Sequence, residues 1–362
     1  MSHPLDGVRS QLAAHGVDVL VLRPSSDFRY VTGWSGTATR PMFIVVTPDG
    51  PPVLVGDPGP AGHDVQRSGL PELQIVPAGG ATAMYAMVGS MIPPMSRVGV
   101  DPNMPARELL ALQERLRPGT LLASAAPLLS PLRQRKTTQE VAALEQAAIV
   151  ADRVIVAAHE LTWSGATEYE MARRLNLLLM EAGHADVASV LVAAGENSAD
   201  PLHLPSDRVI NPGDVVLLHV GGRHAGYFSR TARMIVVAEP PEDFEAMYSV
   251  VIAAHNAACE AVRPGITAAA IHAIAREVIS ESGYGAFSSH RSGQGIGLDD
   301  DEPPYLMPED DTVLGAGMTL SIEPAIHLPG LYGAHIEDVV VCTELGSRRL
   351  NQTPRLLTVV DT

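Results

Sequence analysis

The sequence predicts an α+β domain preceded by a smaller α/β domain, on three grounds. With 362 residues, the chain exceeds what one hydrophobic core ordinarily covers. The stretch up to about Leu132 alternates short β-rich runs with helix-compatible segments, the pattern of an α/β layout. Beyond a basic connector, Ser130 to Lys136, long helical patterns come in pairs ahead of strand pairs, which is the α+β order. The domains are therefore placed at 1–132 and 133–362.

Each element follows from a local signal. Strands are expected at Val17 to Leu22, Met42 to Thr47, Val53 to Val55, Leu73 to Val76 and Arg97 to Val100, where β-branched residues concentrate. Asp6 to His15, Ala81 to Met91 and Pro105 to Arg115 suit helices, and Asp49-Gly50 suits a hairpin turn because both residues tolerate positive φ. Thr137 with Glu140 spells a capping box that opens a helix to about Leu161, and Thr167 with Glu170 spells a second. Val215 to Val220 and Tyr227 to Ala238 form strands around a Gly-rich turn. Asp243 to Arg263 and Thr267 to Glu281 are helical on either side of Pro264-Gly265. Thr319 to His327 and Ala334 to Thr343 make a final strand pair.

Composition narrows the function classes. A formal charge of −16 opposes nucleic acid and anionic lipid, whose binding depends on Lys and Arg displacing counterions. With 46% apolar and 18% charged residues and no long uncharged run, the sequence predicts a soluble globular protein that does not span a membrane. The segment from Met1 to Asp6 lacks a basic region and a following apolar run, so the cytoplasm is the expected location. Cys259 and Cys342 are too few for a disulfide framework, and both are expected reduced in cores. A small-molecule substrate is the expected partner.

Five segments in order carry a resemblance. They are Ser26-Asp27-Phe28-Arg29-Tyr30-Val31-Thr32-Gly33; Asn211-Pro212-Gly213-Asp214-Val215-Val216; Gly293-Gln294-Gly295-Ile296-Gly297-Leu298 with Glu302-Pro303-Pro304; Gly317-Met318-Thr319-Leu320-Ser321-Ile322-Glu323-Pro324; and Ile336-Glu337-Asp338-Val339-Val340-Val341. One glycine motif is weak evidence, but five in sequence are specific. Together they resemble the aminopeptidase P, prolidase and creatinase family. The resemblance implies a pita-bread C-terminal domain, a creatinase-like N-terminal domain and a homodimer.

It also implies a site for two divalent ions, held by two Asp, one His and two Glu. This sequence keeps only Glu323 and Glu337. His219 stands at the first Asp, Arg230 at the second and Gln294 at the His. A guanidinium has no lone pair to donate and keeps its proton in proteins, so a cation stands where cations were held. No metal ligand and no cofactor are therefore expected.

The candidate catalytic residues are His203, His219, Glu323 and Glu337, and the candidate substrate-binding residues are Arg230, Gln294 and His335. Arg230 suits either a structural ion pair or a bidentate anchor for a substrate carboxylate. His203 lies one residue later than the family's loop histidine, and His335 shares a strand face with Glu337. The leading expectation is a metal-independent, creatinase-like hydrolase of a small C–N bond, amidine, guanidino, ureido or amide. The alternatives are a metal-dependent Xaa-Pro dipeptidase or aminopeptidase with a rewired single-metal site, and a noncatalytic pseudoenzyme that binds a ligand or partner.

Overall fold

A computed structural model describes residues 4–34, 41–56, 65 and 70–361, and the chain divides into two compact units, Met1–Arg133 and Gln134–Thr362. In the first unit, α1 (Pro4–Ala14), β1 (Val19–Leu22), α2 (Ser26–Thr32), β2 (Met42–Val46), β3 (Val53–Gly56) and β4 (Gln74–Pro77) lead to α3 (Ala81–Met91), β5 (Arg97–Val100), α4 (Ala106–Gln113), β6 (Leu121–Ser124) and α5 (Ala126–Gln134). The described strands form one mixed sheet in the order β4-β3-β2-β1-β5-β6. Alternate residues of β1 face opposite cores, Leu20 and Leu22 with Leu5, Leu12 and Leu128, and Val19 and Val21 with Met84, Val88 and Leu112. A strand covered on both faces has no polar side to show, so Val-Leu-Val-Leu is uniformly apolar.

Three differences from the expected elements stand out in this unit. Ser26–Thr32 is a helix, capped by the Ser25 side chain and closed by Gly33 at φ 70. Leu121–Ser124 is an edge strand whose burial is too partial to mark it in the sequence. The basic connector as far as Gln134 is the end of α5.

In the second unit, both capping boxes form, at α6 (Thr138–Ala158) and α7 (Glu168–Glu181). After them come β7 (Asp186–Ala194), β8 (Val215–His224), β9 (Tyr227–Val237), α8 (Phe244–Ala261) and α9 (Ala268–Glu281). Next are β10 (Gly293–Gly295), β11 (Glu302–Tyr305), β12 (Thr319–Ile322), β13 (Ala325–Leu328), β14 (Tyr332–His335), β15 (Asp338–Thr343), β16 (Gly346–Arg349) and β17 (Thr358–Val360). Three sheets result, ordered β17-β9-β8-β7, β11-β10-β12-β15-β16 and β13-β14. Helices α6 and α7 cover one face of the first sheet through Val154, Ile155 and Leu175, whereas α8 and α9 share the core of its other face through Val251 and Ile271.

The expected final strand pair is broken in both members. Glu323-Pro324 separates β12 from β13, since proline lacks an N–H for the ladder. Ile336-Glu337 separates β14 from β15, and the Glu337 main chain bridges instead to Ala232, at 3.2 and 3.3 Å. Each break presents one glutamate. Among the described residues, no helix is long and apolar enough to cross a membrane.

Candidate active site

Strand alternation aims the first two side chains. On β8, Val216, Leu218 and Val220 face α6 and α7, while Val215 and Leu217 face α8 and α9, so His219 points to this second side. Arg230 on β9 shares the face of Ala232 and Met234 by the same rule. Its cross-strand neighbour is Gly221, where an added Cβ would lie 2.9 Å from Ser229 O and 3.6 Å from Arg230 Cγ. The glycine there is required by the close Ser229 carbonyl, not by Arg230, whose stem is at ordinary contact distance.

Around Glu337 the polar groups converge. The carboxylate is fully buried, with Oε2 2.8 Å from His219 Nε2. Ser321 Oγ donates to Glu337 Oε1 at 2.6 Å. Arg230 Nη1 stands 3.6 Å from Glu337 Oε1 and 3.6 Å from Glu323 Oε2, and its Nη2 is 4.0 Å from Asp300. The His335 ring stacks against His219 with centroids 6.3 Å apart. Gln294 lies across the ladder from Ser321, so its amide enters the same space. On the rim, Arg291 approaches Glu323 at 3.9 Å, pairs with Asp301 at 3.0 Å and covers the Tyr305 ring.

Several buried polar atoms here lack a hydrogen-bond partner: both amide atoms of Gln294, His335 Nε2, Arg230 Nε, His219 Nε2 and Glu337 Oε2. The last two approach closely without hydrogen-bond alignment, so their attraction is electrostatic. Such a concentration of unpartnered groups is costly in a closed core and marks a place for a ligand.

Titration follows the same crowding. Burial, then the neighbouring Glu337, holds the Glu323 carboxyl well above the usual range, against the pull of Arg230. Burial would also raise Glu337, but His219 and then Arg230 more than offset it and hold it well below. The His335 imidazole is pushed down to about 3 by burial, so it is neutral with a lone pair available.

Of the seven candidate residues, the structure gathers His219, Arg230, Gln294, Glu323, His335 and Glu337. His203 stands apart. Its Nε2 lies 2.8 Å from Glu168, whose carboxylate also accepts from Ala194 N, Ser206 and Asn197. Sequence reasoning missed Ser321 and Arg291: Ser321 alternates with the core residues Leu320 and Ile322, a weak signal that was present, whereas nothing local marks Arg291.

The donors decide which metal content fits. Ligand atoms of Glu323, His335 and Glu337 lie within 4.8 Å of one another, compact enough for one ion to join all three. Two carboxylates and an imidazole suit a first-row divalent ion. Two ions do not fit, because Arg230 and the Gln294 amide replace the donors a second would need.

Known proteins match over most of the chain. The family described as "Metallopeptidase family M24" matches residues 142–344, and "Creatinase/Prolidase N-terminal domain" matches residues 4–135. A protein named "Probable dipeptidase PepE" from Mycobacterium bovis is 35% identical over 350 residues, covering 95% of this chain and 92% of its own. An Xaa-Pro dipeptidase from Pyrococcus furiosus is 38% identical over 231 residues, 64% of this chain and 66% of that one. The crystal structure of a dipeptidase from Pyrococcus horikoshii OT3 superposes with a TM-score of 0.91 at 31% identity, covering 99% of this chain and 100% of the other. The fold is thus a creatinase-like N-terminal domain followed by a pita-bread domain.

These matches correct the expectation of a metal-independent, creatinase-like hydrolase, because the similar proteins are dipeptidases and the matching family is one of metallopeptidases. The physical reason lies in His335. Its imidazole is neutral, with a buried unpartnered Nε2 and a ring nitrogen within 4.8 Å of an oxygen of each glutamate, a donor that the presence of Arg230 does not remove.

Proposed function

This chain belongs to metallopeptidase family M24, and from that premise we propose that it hydrolyses short peptides, dipeptides of the Xaa-Pro kind first. The observation that carries the reading is the donor set of Glu323, His335 and Glu337, converging beside unpartnered polar groups. We assign those three residues to one divalent ion. When bound, such an ion polarises the scissile carbonyl as a Lewis acid.

The remaining side chains have roles their positions support. His219 can hold or pass a proton at Nε2, the atom 2.8 Å from Glu337. Gln294 Nε2 is free to donate to the peptide carbonyl, and its Oε1 to accept from a peptide N–H. Arg230 and Arg291 offer positive charge to the terminal carboxylate, while Asp300, at the same rim, suits the ammonium end. His203 ties its own loop to Glu168 at the start of α7.

The test is hydrolysis of an Xaa-Pro and general dipeptide panel, read by mass spectrometry on protein prepared without chelator and supplied with Mn²⁺, Co²⁺ or Zn²⁺. Cleavage is expected, lost with chelator and in Glu337→Gln. A metal-loaded wild type that cleaves no member of the panel defeats the proposal.

A further inference from the structure

We infer that the Arg230 guanidinium fills the seat of a second cation, so that this centre takes one divalent ion and Arg230 competes with it. The inference rests on the reading above that an ion binds here. Arg230 Nη1 is equidistant from Glu323 and Glu337, 3.6 Å from each, outside hydrogen-bond range of both. It therefore stands between the carboxylates as a charge, where a cation would sit. The backbone keeps it there, since β9, paired along its length with β8, faces it inward beside Ala232 and Met234.

Two independent observations point to a ligand beside it. The fully buried Gln294 has both amide atoms unpartnered, and it shares a strand face with Ser321, which touches Glu337. His335 Nε2 is likewise buried and unpartnered, and a ring nitrogen of His335 lies within 4.8 Å of a carboxylate oxygen of each glutamate. One ion satisfies His335 and the two carboxylates. A second would meet the guanidinium, which carries no lone pair, and an amide whose oxygen is its only donor atom.

Charge points the same way. A second ion would add two positive charges to a centre that already holds Arg230 3.6 Å from both glutamates and Arg291 3.9 Å from Glu323, against Asp300 4.0 Å from Arg230 and Asp301 3.0 Å from Arg291. Like charges this close repel strongly in a partly dry site. Arg230 thus limits the number of ions and weakens the binding of the one that enters.

The experiment titrates Mn²⁺ into the full chain after chelation and dialysis, by calorimetry and elemental analysis, for wild type, Arg230→Met and Arg230→Lys. Wild type is expected to bind one ion per chain, Arg230→Met one ion at least about tenfold more tightly, and Arg230→Lys close to wild type. Should circular dichroism show that Arg230→Met does not fold, Arg230→Gln carries the same comparison. Two ions on wild type would overturn the inference, as would an uncharged variant that binds no tighter, and either result leaves the peptidase reading standing. No Mn²⁺ on wild type or on the uncharged variant would end both.

Discussion

Ser321 shows how one side chain tunes the site without being a ligand. Its hydroxyl donates to Glu337 Oε1 at 2.6 Å from a fully buried position, which fixes the carboxylate and leaves Oε2 toward His219. Partners of this kind typically set metal affinity or activity by about 10- to 100-fold. Ser321→Ala is therefore expected to weaken ion binding within that range while the far-ultraviolet spectrum stays unchanged, and calorimetric titration checks it. Unchanged affinity would show that Glu337 is oriented by its main chain alone. That His219, Arg230 and Gln294 would face one space was legible in the sequence because strand residues keep their register. His335 was legible only as a neighbour of Glu337, since its role depends on neutrality and on an unpartnered nitrogen, and both come from burial. His203 could not be aimed from the sequence because a loop histidine has no period; the structure pairs it with Glu168.

Among the elements, β10 rests on glycines for a reason of space, not of flexibility. A Cβ at Gly295 would sit 2.4 Å from Pro303 O and 2.6 Å from Glu302 O, and one at Gly293 would sit 2.1 Å from Ser321 O. These are backbone atoms of the flanking strands, so neither can give way without opening the sheet that carries Gln294 and Ser321. Gly295→Ala is expected to cost more than about 2 kcal/mol, at the upper end of ordinary substitutions, read as a lowered urea midpoint. Equal stability would mean that β11 shifts freely. The long helices were legible because caps and apolar spacing are local, and both capping boxes formed where the sequence spelled them. The break at Glu323 had a local mark in Pro324, which the β-rich run Thr319 to His327 hid, but the break at Glu337 had none: the choice of partner there, Ala232 for the Glu337 main chain, is made by tertiary packing.

At the scale of the molecule, each unit has its own apolar cores and one tryptophan, Trp34 in the first and Trp163 in the second, both buried. Acid should act on them unequally. In the second unit, burial pushes His184 down to about 4 and His255 to about 3, and it lowers His272 and His327 as well. Below its ordinary value of 6.5, a histidine of the unfolded chain takes a proton that the folded His184 refuses until about 4. The stabilising difference is thus complete above pH 6.5 and is lost as pH falls from there toward 4, on the order of 3 kcal/mol for His184 alone. In the first unit, His15 is exposed, and no described histidine is buried. Urea unfolding of Trp34→Phe, which leaves Trp163 as the reporter, is expected to show a midpoint that drops steadily from pH 6.5 to 4.5, with a shallower drop once His184→Leu is added. Equal slopes with and without His184 would assign the acid sensitivity to carboxylates, as would a Trp34 transition, read in Trp163→Phe, that falls as steeply.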